Sequence, residues 1–181
     1  MQNKIQSMNN TPILTHNQIQ ICIQSIAEKI TATYPQPDNL VGIEILDGAT
    51  RFTNDLVKLL PFHLHRVPIK VSSYHGGTES TGKCIVEGSL PVSLTDKDVL
   101  VLDDIYDSGR TMACIIHLIQ KQNPKSCEPC VLLEKKVPHV ESLTLNFPRL
   151  LVPDKFLIGY GLDYQGKYRE LDDIIEFSGT D

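Results

Sequence analysis

Apolar positions in this chain alternate between two rhythms from one end to the other. Ile19, Cys22, Ile23, Ile26 and Ile30 recur at helical spacing and predict a first helix. Thr15 with Gln18 forms its capping box, and Pro35 and Pro37 end it. The stretch Leu40–Leu46 reads as a buried strand with Asp47-Gly48 as its turn. Phe52, Leu56, Leu59 and Leu60 make the apolar stripe of a second helix. Residues 65–72 read as a strand, with Pro68 marking an edge or an irregularity. Residues 74–83 carry no core-facing period and read as a flexible loop, from which Cys84–Glu87 returns as a short strand. Residues 99–102 predict the central strand. Met112, Ile115, Ile116 and Ile119 mark the helix after it. Residues 131–133 and 156–160 are two further strands.

Strands alternating with helices imply an α/β fold: a mostly parallel sheet flanked by helices on both faces. Ligands in such folds bind beyond the carboxyl ends of the strands. The turns after Leu46, Leu102, Leu133 and Gly161 are therefore the places to look, and each carries polar or charged residues.

Length and composition narrow the class. The 181 residues fit one domain with a real core, and 41% apolar with 22% charged residues is ordinary for a soluble globular protein. A formal net charge of −5 argues against a nucleic-acid binder, which shows a basic face. Residues 1–18 are polar and lack a signal-peptide core, and no apolar run approaches the roughly 20 residues that cross a bilayer. The expectation is a cytoplasmic protein with no membrane and no nucleic-acid partner. Cys22, Cys84, Cys114, Cys127 and Cys130 are expected to be reduced thiols. Cys127 and Cys130 have redox or zinc spacing, but no second ligand pair stands nearby, so coincidence is the better reading. The six histidines show no ligand spacing.

The richest segment is Val99-Leu100-Val101-Leu102-Asp103-Asp104-Ile105-Tyr106-Asp107-Ser108-Gly109-Arg110-Thr111-Met112. Here a buried strand delivers carboxylates to its carboxyl end, and a polar turn then opens a helix. Free N–H groups and the helix dipole favour an anion there. Ser108 and Thr111 add hydroxyl donors, and Gly109 permits tight geometry. Alone, residues 107–111 read equally as a helix cap without a ligand. With the strand and Asp103-Asp104 upstream, a phosphate cradle is favoured. The two acids can accept from ribose hydroxyls, although adjacent residues on a strand point to opposite sides, so at most one faces a given ligand unless the chain curls. Asp107 either caps its helix or sits over the anomeric carbon of a sugar. Lys135 follows a strand and could meet a ligand carbonyl; taken singly it reads better as surface charge. Asp163 could hold a hydrated magnesium ion and Arg169 could grip pyrophosphate, or the two could be a plain ion pair.

These motifs, taken in order, resemble the type I phosphoribosyltransferases, and within them the hypoxanthine-guanine branch. The resemblance runs from about residue 40 to 175. It is carried by the segment just quoted, by Ser72-Ser73-Tyr74 with Ser80-Thr81-Gly82, and by residues 151–164 ending in Arg169-Glu170-Leu171. It implies the type I phosphoribosyltransferase fold as a single domain over residues 1–181. The core would span about 38–160, and a small hood would be built from the N-terminal segment and about 150–181. It implies a purine salvage enzyme that transfers the phosphoribosyl group of phosphoribosyl diphosphate to hypoxanthine and guanine, with magnesium as cofactor and a homodimer or homotetramer as assembly. Nucleoside monophosphate and pyrophosphate would be the products.

Site roles follow from the same resemblance. Asp103 and Asp104 would lie at the ribose hydroxyls, directly or through magnesium, and Asp163 would help hold the metal. Asp107 would be the acid/base near purine N7, and Ser108, Gly109, Arg110 and Thr111 would join it around the 5′-phosphate. Lys135 would donate to the purine 6-oxygen, Phe156 would stack on the ring, and Leu157 and Asp163 would complete the purine side. Asp47, Gly48 and Arg169 would border pyrophosphate. Ser73 and Tyr74 would sit on a lid. One departure stands out: Leu46-Asp47-Gly48 replaces the family's common Leu-Lys-Gly, which often carries a cis peptide. An acid beside pyrophosphate leaves the holding to backbone N–H groups. Two other readings stay open: a regulatory protein of the same fold that senses ligand while binding DNA or RNA, and an enzyme acting on xanthine, adenine or a pyrimidine.

Overall fold

The computed structural model describes residues 11–73, 84–87, 93–141 and 143–179. In chain order it forms α1 (His16–Thr33), β1 (Leu40–Leu46), α2 (Ala49–Leu59), β2 (His65–Ser73), β3 (Cys84–Glu87) and β4 (Asp98–Tyr106). Then come α3 (Arg110–Gln120), β5 (Ser126–Lys135), β6 (Leu150–Val152), β7 (Leu157–Ile158) and β8 (Ile175–Glu176). Six strands make one sheet in the order β3-β2-β1-β4-β5-β6, and β7 pairs with β8 in a second. The run from β2 to β6 is parallel; β3 alone lies antiparallel, on β2.

Alternation along β4 divides the core between the two faces of this sheet. Leu100 and Leu102 pack with Ile23 and Ile26 of α1 and Phe52 and Leu56 of α2. Val99 and Val101 pack with Met112, Ile115 and Ile119 of α3. Each such buried aliphatic or aromatic side chain stabilises the fold by about 1.5–3 kcal/mol. Covering both faces is what a parallel sheet requires. The expected α/β architecture is therefore present.

Local signals govern the helix ends. The Thr15–Gln18 capping box forms, with the Thr15 N–H donating to the Gln18 side chain at 2.9 Å. In α2 the stripe is Ala49, Phe52, Thr53 and Leu56, with Leu60 just beyond. Leu59, expected in that stripe, is 41% exposed because the inward positions flank it on either side. Pro68 sits opposite Glu44 of β1, and β3 covers only Lys70 to Ser73. The part of β2 that holds the proline is thus an edge among the described residues, as expected. Cys127 and Cys130 lie on β5, and their spacing sends them to opposite faces: Cys130 joins the α1 side and Cys127 packs on the α3 side. A shared zinc or redox centre is excluded by that geometry, and burial pushes the Cys127 thiol up to about 12.

Two elements differ from expectation. The main sheet ends in β6, where Leu133 to Lys135 pair with Leu150 to Val152. Residues 156–160, expected as a strand, contribute only β7, which leaves the main sheet and pairs with β8. Tyr160 has φ +46 and Gly159 and Gly161 also have positive φ, so the chain turns there instead of extending. The backbone N–H groups of Ile13 and Leu14 donate to the Ile174 carbonyl at 2.9 and 3.2 Å, which ties the two terminal segments together. Among the described residues no helix is long and apolar enough to cross a membrane.

Candidate active site

β1 and β4 pair from Leu40 opposite Asp98 to Glu44 opposite Leu102, and then part. The chain leaves β1 through α2 toward β2 and leaves β4 through α3 toward β5, on the other side of the sheet order. Divergence of this kind opens a crevice at the strands' carboxyl ends. A cleft of about 360 Å³ lies there.

Asp103 and Asp104 form its floor. Pairing with β1 has ended, and residues 103–105 are all half-buried where 99–102 are buried. The expectation that only one acid would face the ligand unless the chain curls is corrected: β4 stays paired with β5 through Tyr106, and with β1 gone from its other side both acids line the cleft. The Asp104 N–H donates to Asp103 Oδ1 at 3.0 Å. Burial, and after it the charge of Asp104, push the Asp103 carboxyl well above the usual carboxylate range; burial raises Asp104 as well. A pair held this way gains from any cation or hydroxyl donor that enters.

The turn after β1 makes one wall. The Leu46–Asp47 peptide is cis. Gly48 packs so tightly on the acid pair that a Cβ there would lie 1.9 Å from Asp104 Oδ2. Gly161 closes on the same turn; a Cβ on it would lie 2.7 Å from the Gly48 carbonyl oxygen. Gly161 is also the anchor for Arg169, whose Nη1 donates to its carbonyl at 2.6 Å while Nη2 pairs with Asp163 at 2.7 Å. The second Asp163 oxygen accepts from the Gly166 N–H at 2.7 Å. Asp163 thus lines the cleft with both oxygens engaged. Among the described residues no three acids, histidines or cysteines come together as a metal-holding group, so Asp163 does not join Asp103 and Asp104 in one cluster.

Both helices that start at the cleft begin on glycine. Gly48 caps α2 and Gly109 caps α3, and neither supplies a side-chain cap, in contrast with Thr15 on α1. In α2 the Thr50 N–H donates to the Asp47 carbonyl at 3.2 Å; neither helix start has a side-chain cap to compete with an anion. Arg110 N–H makes one long contact to Ser108 Oγ at 3.4 Å. Gly109 has φ +82, and a Cβ on it would lie 2.4 Å from the Glu141 carbonyl and 2.6 Å from the Tyr106 hydroxyl. No other residue fits.

Asp107 stands where the cleft meets the α3 turn. Its Oδ2 pairs with Lys135 Nζ at 2.8 Å, and Asp154 Oδ1 lies 3.7 Å from the same ammonium. Lys135 is mostly buried and Asp107 is half exposed. The lysine is therefore no stray surface charge. On the far wall Leu157 is buried and Phe156 is 54% exposed, with Tyr164 edge-on to it at 5.9 Å and Phe177 at 5.9 Å.

The cleft gathers Asp47, Gly48, Asp103, Asp104, Asp107, Lys135, Phe156, Leu157, Asp163 and Arg169 in its lining, with Asp163 and Arg169 paired to each other. Ser108, Gly109, Arg110 and Thr111 do not line it but continue from Asp107 into the head of α3. Ser73 ends β2, and Tyr74 lies outside the described residues, as does the expected loop 74–83. Sequence reasoning missed Lys155, which also lines the cleft and pairs with Glu176 at 2.5 Å. It missed Arg51 too. This side chain donates to the carbonyls of Arg169 and Leu171 at 3.2 and 2.7 Å and lies over the Tyr160 ring at 4.5 Å. Its partners are more than a hundred residues away, and no local pattern signals them. A larger cleft of about 550 Å³ lies beyond the Asp47 turn, between α1 and α2, but contains neither the acid pair nor Lys135.

The comparisons agree with this geometry. A phosphoribosyl transferase domain model matches residues 9–165. A hypoxanthine-guanine phosphoribosyltransferase of Staphylococcus aureus is 38% identical over 159 residues, 88% of either chain. The crystal structure of a hypoxanthine phosphoribosyltransferase from the same organism superposes with a TM-score of 0.87 at 35% identity, covering 96% of this chain and 94% of that one. A hypoxanthine-guanine phosphoribosyltransferase from Bacillus anthracis does so with a TM-score of 0.85 at 30% identity, covering 92% and 98%.

Proposed function

The chain belongs to the phosphoribosyl transferase family, and we propose that within it this protein salvages 6-oxopurines. It moves the phosphoribosyl group of phosphoribosyl diphosphate onto hypoxanthine or guanine and releases pyrophosphate. The observation that carries this reading is the Lys135–Asp107 pair, set in the same cleft as the Asp103–Asp104 pair and Phe156.

The residues divide the work. The N–H groups at the start of α3, with the Ser108 and Thr111 hydroxyls, take the 5′-phosphate. The uncapped start of α2 and Arg169 take pyrophosphate. Asp103 and Asp104 accept from the ribose hydroxyls. Phe156 offers its exposed ring to one purine face, and Leu157 offers backbone groups to the purine edge. As N9 attacks the anomeric carbon, the bond to pyrophosphate breaks and the N7 proton passes to Asp107. Lys135 swings from Asp107 to the purine 6-oxygen. An ammonium has only donors, so it matches a carbonyl and mismatches the 6-amino group of adenine. An unpaired buried polar group at that point discriminates strongly.

The acid pair fits a divalent cation: two half-buried carboxylates, both raised by burial, with no ion-pair partner of their own among the described residues. Asp103 and Asp104 would hold magnesium, which would supply positive charge against the leaving pyrophosphate.

A panel of bases assayed for pyrophosphate release tests the reading. Hypoxanthine and guanine are expected to support release and adenine, orotate and uracil not. Equal use of adenine, or release with pyrimidines alone, overturns it. A homodimer or homotetramer remains the expected assembly by analogy with the family.

A further inference from the structure

The α3 turn is braced from behind by residues 139–141. His139 Nδ1 donates to the Asp107 carbonyl at 2.5 Å. The N–H groups of Val140 and Glu141 donate to the Ser108 carbonyl at 3.0 and 3.3 Å. In a trans peptide the carbonyl and the next N–H point opposite ways. Pinning the carbonyls of 107 and 108 to this strap therefore aims the N–H groups of Ser108 and Gly109 away from it. Those are the donors that the start of α3 offers to an anion.

The other ring nitrogen of His139 is also engaged. Nε2 donates to Glu134 Oε1 at 3.1 Å, and the second Glu134 oxygen accepts from Arg149 Nε. Burial alone would raise the Glu134 carboxyl, but Arg149 and His139 outweigh it and hold it below the usual range. The His139 ring packs on Tyr106, centroids 4.5 Å apart, and the Tyr106 hydroxyl in turn donates to the Glu141 carbonyl and accepts from the Leu143 N–H. The groups facing the ring are thus Glu134, backed by Arg149, from β5 and the segment before β6; Tyr106 from β4; and the Asp107 carbonyl, whose side chain is paired with Lys135. Both ring nitrogens meet acceptors. Only a ring carrying two N–H groups satisfies both.

Building on the function proposed above, we infer that His139 is a positioning residue for the 5′-phosphate site: as a double donor between Glu134 and the Asp107 carbonyl, it fixes the peptide that presents the Ser108 N–H. It touches no substrate. Its loss lets the 107–108 peptide rotate, which turns the Ser108 N–H out of line and weakens the grip on the phosphate.

Calorimetric binding of inosine 5′-monophosphate, repeated across the range in which an imidazole loses its proton, about pH 5 to 8, tests the assignment on the full chain. His139→Gln keeps at most one of the two links, and is expected to weaken binding about tenfold at the acidic end, the effect of one lost charge-assisted hydrogen bond. His139→Arg keeps a permanently charged multiple donor. Relative to this variant, wild-type affinity should fall as pH rises; the comparison cancels the titration of the phosphate itself. The KM for phosphoribosyl diphosphate should rise in His139→Gln while that for hypoxanthine holds. A purely structural histidine would change melting temperature without this split. Two-dimensional ¹⁵N spectra of the ring give a readout independent of any variant, and both nitrogens should carry a proton in the nucleotide-bound protein. Parallel pH curves for wild type and His139→Arg, or a bound state in which one ring nitrogen is bare, overturn the inference. Failure of the wild type to bind the nucleotide at any pH removes the proposed function, and this role with it.

Discussion

Gly48 leaves no room for a side chain against Asp104: a Cβ would sit 1.9 Å from Oδ2 of the carboxylate. The glycine's own backbone is helical, at φ −59 and ψ −45, so an alanine is conformationally acceptable there. The conflict is entirely with the acid. Gly48→Ala is therefore expected to push Asp104 off its position and cost a modest 1–3 kcal/mol, roughly the usual range for overpacking. The KM for phosphoribosyl diphosphate should rise about tenfold or more, as one misplaced group of about 1.4 kcal/mol implies. Steady-state kinetics beside a denaturation curve separates the two effects. An unchanged KM would show that Asp104 does not contact the donor.

Asp107→Asn removes the proton acceptor while keeping the shape of the turn. Turnover is expected to fall roughly 10²–10⁴-fold, the usual contribution of a positioned acid or base. Binding of phosphoribosyl diphosphate should be nearly unchanged, because the backbone donors of α3 survive. Single-turnover kinetics with equilibrium binding checks both halves, and near-normal turnover removes the acid/base assignment.

Lys135→Gln keeps a donor but adds an acceptor, since the amide carries both. The ratio of kcat/KM for hypoxanthine to that for adenine is expected to drop by one to two orders of magnitude, about the value of one matched buried polar contact. Selectivity that stays as it was counts against Lys135 as the reader of position 6.

Glu134 makes stability depend on pH in a defined direction. Its carboxyl is held below the ordinary value in the folded chain, so the folded state favours the ionised form. The resulting stabilisation is present above the unfolded-state value, about 4.3, and is lost as pH falls through the lowered folded one. Glu134→Gln should be less stable than wild type by about 1–3 kcal/mol at neutral pH, typical of hydrogen bonds to a charged group. The gap should close in acid. Urea denaturation at neutral pH and below pH 4 reads the difference, and a gap that widens in acid contradicts the assignment.

Much of this architecture is written locally. The Thr15–Gln18 box, the β1 run and the Met112–Ile119 stripe each need only a few neighbours to be read, and all three form as expected. The motif at Asp103 to Thr111 was legible because its parts are contiguous. Short or distant features were not. β6 is three residues long and offers no period, and β7 takes its partner from β8, close to the end of the described chain. The opening that lets both Asp103 and Asp104 line one cleft depends on where β1 stops pairing, which neither strand's own sequence states. His139 lies 32 positions from Asp107, and only the fold brings it to that carbonyl.

The bonds between Leu14 and Ile174 make the two terminal segments depend on each other. The wall behind Phe156 is completed only where Ile174 meets Leu14 and Phe177 meets Phe156. Trimming a few residues from either stitched segment would loosen that wall first, because the strands that carry Asp103 and Asp104 are held by the main sheet.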